Sequence, residues 1–98
     1  MTTYFEKKAA AGARWMDKKL PGWHRQVNPK SLDIGIDDSC ILGQCFGSFN
    51  TERKKLKLNQ QQSINLGFYC KHKKLNNWVK LTKAWVNEII IRRLAKAA

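Results

Sequence analysis

The sequence predicts a mainly α-helical, compact single domain spanning residues 1–98, built from about five short helices. Three observations predict it. Apolar residues recur at helical spacing near both ends of the chain. Pro-Gly and single glycines punctuate the segments between them, and capping residues stand in front of several apolar runs. Ninety-eight residues leave no room for a second domain. An apolar content of 43%, with four Trp, four Phe and two Tyr, gives large side chains to a modest core.

Thr2 or Thr3 is placed to cap a first helix running to about Leu20. Its apolar positions are Phe5, Ala9, Ala13 and Met16, with Trp15 beside them. Pro21-Gly22 ends it. Trp23 and Val27, four apart, predict one short helical turn, stopped before Pro29. Leu32, Ile34 and Ile36 alternate with Asp33 and Gly35, a pattern of a strand or an extended linker.

Asp37, Asp38 and Ser39 form a cap cluster before Cys40–Phe46, read as a short buried helix closed by Gly47. Gly43 inside it predicts close packing against another element. Thr51 is placed to cap a basic turn over Glu52–Lys57, and Asn59 to cap a helix through Asn65, with Leu66-Gly67-Phe68 as its exit. The pattern allows a short hairpin near Phe68–Trp78. Thr82 then caps a last helix, Thr82–Ala97, with Leu81 and Val86 spaced for a hydrophobic staple. Its expected apolar face is Trp85, Val86, Ile89, Ile90 and Leu94, docked on the first helix and on Cys40–Phe46.

Charge is distributed unevenly. Residues 1–52 carry 7 Lys/Arg against 6 Asp/Glu, whereas residues 53–98 carry 12 against the single acid Glu88. Nearly all of the net +12 therefore sits in the second half. A field of one sign attracts polyanions or acidic protein surfaces. The competing reading is a solvated basic face in a Lys-rich chain; AT-rich coding accounts for the lysines but not for the scarcity of acids after Glu52.

The expected nucleic-acid or partner-binding residues are Arg53, Lys54, Lys55, Lys57, Lys71, Lys73, Lys74, Lys80 and Lys83, with Arg92 and Arg93 as further candidates. Lysines suit backbone phosphate contact more than base reading. Arg92, Arg93 and Lys96 also suit the end of a helix, where the dipole favours positive charge. Tyr69 and Trp78 lie among the lysines and are either base-stacking platforms or core residues.

Other chemistries find little support. Cys40, Cys45, Cys70 and His72 include zinc-ligand types, but the Cys40–Cys45 spacing is wrong for a knuckle, and on one helix the two point about 140° apart. Buried thiols are the expected role. There is no phosphate loop, dinucleotide fingerprint or catalytic set. The expectation is a non-enzyme without cofactor, metal or small-molecule substrate. No run approaches the ~20 apolar residues of a membrane span, and residues 1–16 lack the apolar centre of a signal peptide. Three cysteines cannot all pair within the chain, so reduced thiols and a cytoplasmic setting are expected.

The order Gly12, Trp15, Met16, Asp17; Pro21-Gly22-Trp23; Leu32-Asp33; Cys40-Ile41-Leu42-Gly43-Gln44; Phe46-Gly47; Leu66-Gly67-Phe68; Leu81-Thr82, Trp85 and Ile89 resembles small proteins of unknown function encoded by bacteriophages and prophages. The resemblance spans roughly residues 12–93. Its Cys-x-Leu-Gly-Gln segment and Pro-Gly-Trp turn are the most specific parts. It implies a structural scaffold, transfers no catalytic residue, and leaves the lysine-bearing stretch Tyr69–Trp78 outside the pattern. It also implies a bacterial host cell as the setting. By analogy, such a protein binds and blocks a host machine, a CRISPR effector for example; the alternative is a small DNA-binding regulator of phage genes.

Overall fold

A computed structural model of the chain describes residues 3–70 and 75–97. The first helix, α1, runs Tyr4–Lys19. Thr3 is its cap: the hydroxyl accepts the Glu6 N–H at 3.2 Å. Glu6 in the first turn and Lys18 and Lys19 in the last complement the helix dipole. Ala9, Gly12, Ala13 and Met16 recur every three or four residues and are buried together. Gly22 reverses the chain with φ +82°, and a single 3-10 turn, Trp23–Arg25, follows.

Residues 32–40 fold into turns rather than a strand or extended linker. Asp33 Oδ1 accepts the Gly35 N–H at 2.9 Å, and the Ile36 N–H returns to Asp33 O. This local competition defeats the alternating pattern. Leu32 and Ile34 are still buried, while Ile36 is 49% exposed.

Helix α2, Ile41–Phe46, is capped by Cys40, whose Sγ accepts the Gly43 N–H at 3.3 Å. Asp37 instead serves the next helix, α3, Phe49–Lys55. Its carboxylate accepts from Ser48 Oγ at 2.8 Å and from the Asn50 N–H at 2.9 Å. Ser48, not Thr51, caps α3. Gly43 is required by the same arrangement, because a Cβ there would collide with the backbone of Asp37 and Asp38. Helix α4, Gln60–Asn65, starts at Asn59 with a reciprocal capping box to Gln62.

The last helix, α5, spans Leu75–Ala97, so it begins seven residues before Thr82. Thr82 is interior, and its hydroxyl accepts the Ile34 N–H at 3.2 Å. The side chain serves as an acceptor for a distant segment rather than for its own helix start. Leu81 and Val86 both lie inside α5, about 140° apart around it, and form no staple. Trp78 lies in α5, and no strand occurs among the described residues.

Helices α1 and α5 pack side by side and run in the same direction. Tyr4 and Phe5 share a groove with Lys80 and Lys83, Gly12 meets the Trp85 ring, and Asp17 reaches Arg92. Trp85 is the centre of the core. It stacks on Phe68 at 5.5 Å and meets Trp23 edge-on at 5.6 Å. Its Nε1 donates to Gly67 O at 2.7 Å. A Cβ at Gly12 would strike Leu66 O and the Trp85 ring, so only glycine lets α1 approach.

The buried face of α5 is Leu81, Ala84, Trp85 and Ile89, with Val86 half-buried. Ile90 and Leu94, expected inside, are 45% and 66% exposed. Both lie outside the face that meets the core, and Ile90 borders an open hollow with Glu6 and Ala10 of α1. α5 rests on α1 and on the Trp23–Arg25 turn; α2 packs mainly on α3 and contributes Ile41 and Leu42 to the common core.

Candidate nucleic-acid interface

The acids are largely used by the fold. Asp17 holds Arg92 and accepts the Trp23 Nε1–H at 2.9 Å. The Arg92 hydrogen bonds keep its carboxyl below the ordinary value and push the guanidinium upward. Glu88 joins Arg92 from one turn away at 3.2 Å. Asp37 is held low by the Asn50 N–H first and by Ser48 next. Asp33 is committed to the Gly35 turn.

Two of the expected basic contacts are used by the fold in the same way. Arg92 is tied to Asp17 and Glu88. Arg93 donates through Nη2 to Val27 O at 2.6 Å and to His24 O at 2.9 Å, closing the loop after the 3-10 turn. Both arginines therefore brace the fold, Arg92 half-buried and Arg93 exposed at the surface. Their chemistry fits that role, since the planar fork satisfies several carbonyl or carboxylate oxygens at once.

The lysines behave differently. Arg53, Lys54 and Lys55 occupy the last turn of α3. Lys57 follows with φ 56°, in the left-handed region that turns the chain out of the helix. Lys54, Lys55 and Lys57 are exposed; Arg53 is half-buried and donates to Leu58 O at 3.1 Å. Lys80 and Lys83 stand exposed one turn apart on α5. Both ion pairs among the described residues belong to Arg92, so none of these five lysines has a carboxylate within 4.0 Å there. Lys71, Lys73, Lys74 and His72 lie outside the described residues.

Tyr69 joins a series of hollows. One, of about 430 Å³, opens between the 34–37 segment and α3, with Phe49, Asn50, Tyr69 and Trp78 in its wall. A second, of about 190 Å³, shares Phe49, Asn50 and Tyr69 and reaches Arg53, Gln60 and Ser63. On its other side Tyr69 borders a narrow crevice with Tyr4, Phe5 and Lys8. That crevice shares Tyr4 and Phe5 with a groove of about 430 Å³ between α1 and α5, which also holds Glu6, Lys80, Lys83 and Asn87.

Ring geometry is ordered along this path. Phe49 and Tyr69 lie parallel at 6.2 Å, and Trp78 meets Tyr69 edge-on at 5.7 Å. Tyr4, 57% exposed, meets Phe5 edge-on at 5.2 Å and carries Lys8 Nζ 5.1 Å from its ring centre. Lys8 also donates to Asn65 Oδ1 at 3.3 Å. Half-exposed rings interleaved with cations suit flat bases and phosphates together. Glu6 is the carboxylate in the α1–α5 groove.

Sequence reasoning placed Arg53, Tyr69, Trp78, Lys80 and Lys83 among the candidates but missed Tyr4, Lys8 and Phe49. The signal for Tyr4 and Lys8 was their i, i+4 spacing on α1, which puts a ring and a cation on one helix face. Phe49 carried no signal, since its neighbours arrive from distant parts of the chain.

The thiols are packing groups. Cys40 and Cys45 are pushed up to about 11, first by burial. Cys70 is buried. Among the described residues no group of three or more His, Cys, Asp or Glu could hold a metal, and no helix is long and apolar enough to cross a membrane. No protein-family model matches the chain, and neither a curated protein nor a solved structure is significantly similar to it.

Proposed function

We propose that the protein is a non-catalytic effector that binds nucleic acid, or a host nucleoprotein, through the lysines of its second half and the groove they border. One observation carries this reading. The fold commits Asp17, Asp33, Asp37 and Glu88 to internal contacts, while Lys54, Lys55, Lys57, Lys80 and Lys83 stay exposed without carboxylate partners among the described residues. The uncompensated field attracts phosphate, and the rings beside it give bases a surface. With the resemblance to phage-encoded proteins, the fitting partner is a host defence complex that works on nucleic acid, such as a CRISPR effector. The protein would occupy a site meant for nucleic acid, or hold the nucleic acid itself. A pull-down from bacterial host lysate with and without nuclease tests this. Capture of nucleic acid, or of one nucleoprotein, is the expected result. Capture of neither, with no affinity for oligonucleotides at low salt, would leave the lysines as a solvated face.

A further inference from the structure

We propose that the nucleic acid is single-stranded, and that one unpaired base stacks in the Phe49–Tyr69–Trp78 cleft with its phosphate on Arg53. This rests on the nucleic-acid reading above and narrows it to one substrate class.

The cleft has the shape for a flat ring. Its floor is the 34–37 turn, whose Gly35 backbone lies against the Trp78 ring: a Cβ at Gly35 would be 3.4 Å from it. One wall is Trp78, half-buried in α5, and the other is Phe49 at the start of α3. Tyr69 stands between them, parallel to Phe49 and edge-on to Trp78. A volume of about 430 Å³ admits a nucleobase with part of its sugar. A base inside duplex DNA is paired and stacked on both faces, so only an unpaired base can enter.

Charge fixes the orientation. Asp37 borders the cleft with its carboxylate held ionised by Asn50 and Ser48. A phosphate is repelled from that end. The cleft shares Phe49, Asn50 and Tyr69 with the smaller hollow that reaches Arg53. Arg53 spends one hydrogen bond on Leu58 O, and a guanidinium has five N–H donors. Lys54, Lys55 and Lys57 continue the positive surface beyond it. Base toward the turn and phosphate toward Arg53, in the last turn of α3, is the orientation that agrees with both charges.

The test uses the full chain, a fluorescently labelled oligonucleotide of about 12 nucleotides, within the 4–16 range that stacking sites take, and its duplex. The wild type is expected to favour the single strand at least tenfold. Binding should quench tryptophan emission, and Trp78→Phe should abolish that change. Tyr69→Phe should keep affinity, whereas Tyr69→Leu should lose about 5- to 150-fold, the size of one base stack. The salt slope of Tyr69→Leu should be unchanged, because stacking releases no counterions. Thermal melting of each variant checks the fold, and Tyr69→Phe with the quench still decides the matter if Tyr69→Leu unfolds. Equal affinity for duplex and no quench from Trp78 overturns the cleft and leaves phosphate binding intact. No affinity for either strand form overturns both.

Discussion

Arg92 Nη2 lies 2.9 Å from Asp17 Oδ2, joining residues 75 positions apart at the far ends of two parallel helices. The same carboxylate accepts the indole N–H of the fully buried Trp23 at 2.9 Å. Asp17 therefore pins α5, α1 and the 3-10 turn at one point. Its value lies in the buried indole more than in the ion pair, since the carboxylate is 44% exposed and solvent screens it.

Asp17→Asn and Asp17→Ala separate these roles. Asn keeps an acceptor for Trp23 and loses the charge, so it should cost no more than about 1 kcal/mol. Ala strands the indole N–H and should cost about 1–3 kcal/mol. Denaturant unfolding of the two variants measures the difference. Equal costs would place the stabilisation in the ion pair. The lowered pKa of Asp17 adds a sign: its contribution is present above the unfolded value of 3.8 and fades as pH falls through the lower folded one.

Trp85→Ala should destabilise by about 3–5 kcal/mol. The ring fills the space under Gly12, stacks on Phe68 and meets Trp23, and its truncation also leaves Gly67 O without its donor. Gly12→Ala should also destabilise, through the opposite fault, because the colliding Leu66 O is backbone and cannot swing away. An unchanged denaturant midpoint for Trp85→Ala would show that α5 does not dock by this face.

His24 gives the protein an acid-side weakness. It is 4% exposed, and its Nδ1 has no hydrogen-bond partner. Burial, then Arg25, Arg93 and Arg92, hold its pKa below 6.5, with Asp17 pulling weakly the other way. The unfolded chain therefore binds the proton first. Stability should be full above about pH 6.5 and decline below it, until the folded imidazole also titrates. Melting temperature against pH should show this slope, and His24→Gln should flatten it. The same slope in the variant would assign it to other groups.

Much of the fold was legible because its signals are local. Thr3, Asn59, Gly22 and Gly47 act within three or four residues of where they stand, and each does what its type suggests. Several of the differences share one cause, a polar side chain serving a distant segment. Thr82 reads as a cap, yet it bonds Ile34, 48 positions away. Asp37 reads as a cap for α2 and instead anchors α3 through Ser48 and Asn50. Arg92 and Arg93 read as surface charge and also brace the fold, reaching back to Asp17, His24 and Val27. The site was half legible for the same reason. Charge imbalance is additive along a chain, but the meeting of Phe49, Tyr69 and Trp78 depends on three elements packing together.

That division yields the last prediction, which sets two kinds of basic residue against each other. Replacing Lys54, Lys55 and Lys57 together by Gln should leave melting nearly unchanged, because all three are exposed, two in the last turn of α3 and one just after it. It should weaken oligonucleotide affinity for every sequence and flatten the salt slope by up to about 2.7 if all three neutralise phosphates of a duplex, or about 2.1 on a single strand. Arg93→Gln should do the reverse. It removes the donors to His24 O and Val27 O, so stability falls by about 1–3 kcal/mol while the salt slope holds. Filter binding at several salt concentrations, with thermal melts of the same preparations, gives both readouts. A triple variant that keeps full affinity would move the interface away from α3, toward Lys80, Lys83 and the Tyr4 groove. A flattened slope in Arg93→Gln would return that arginine to the surface role that its sequence position first implied.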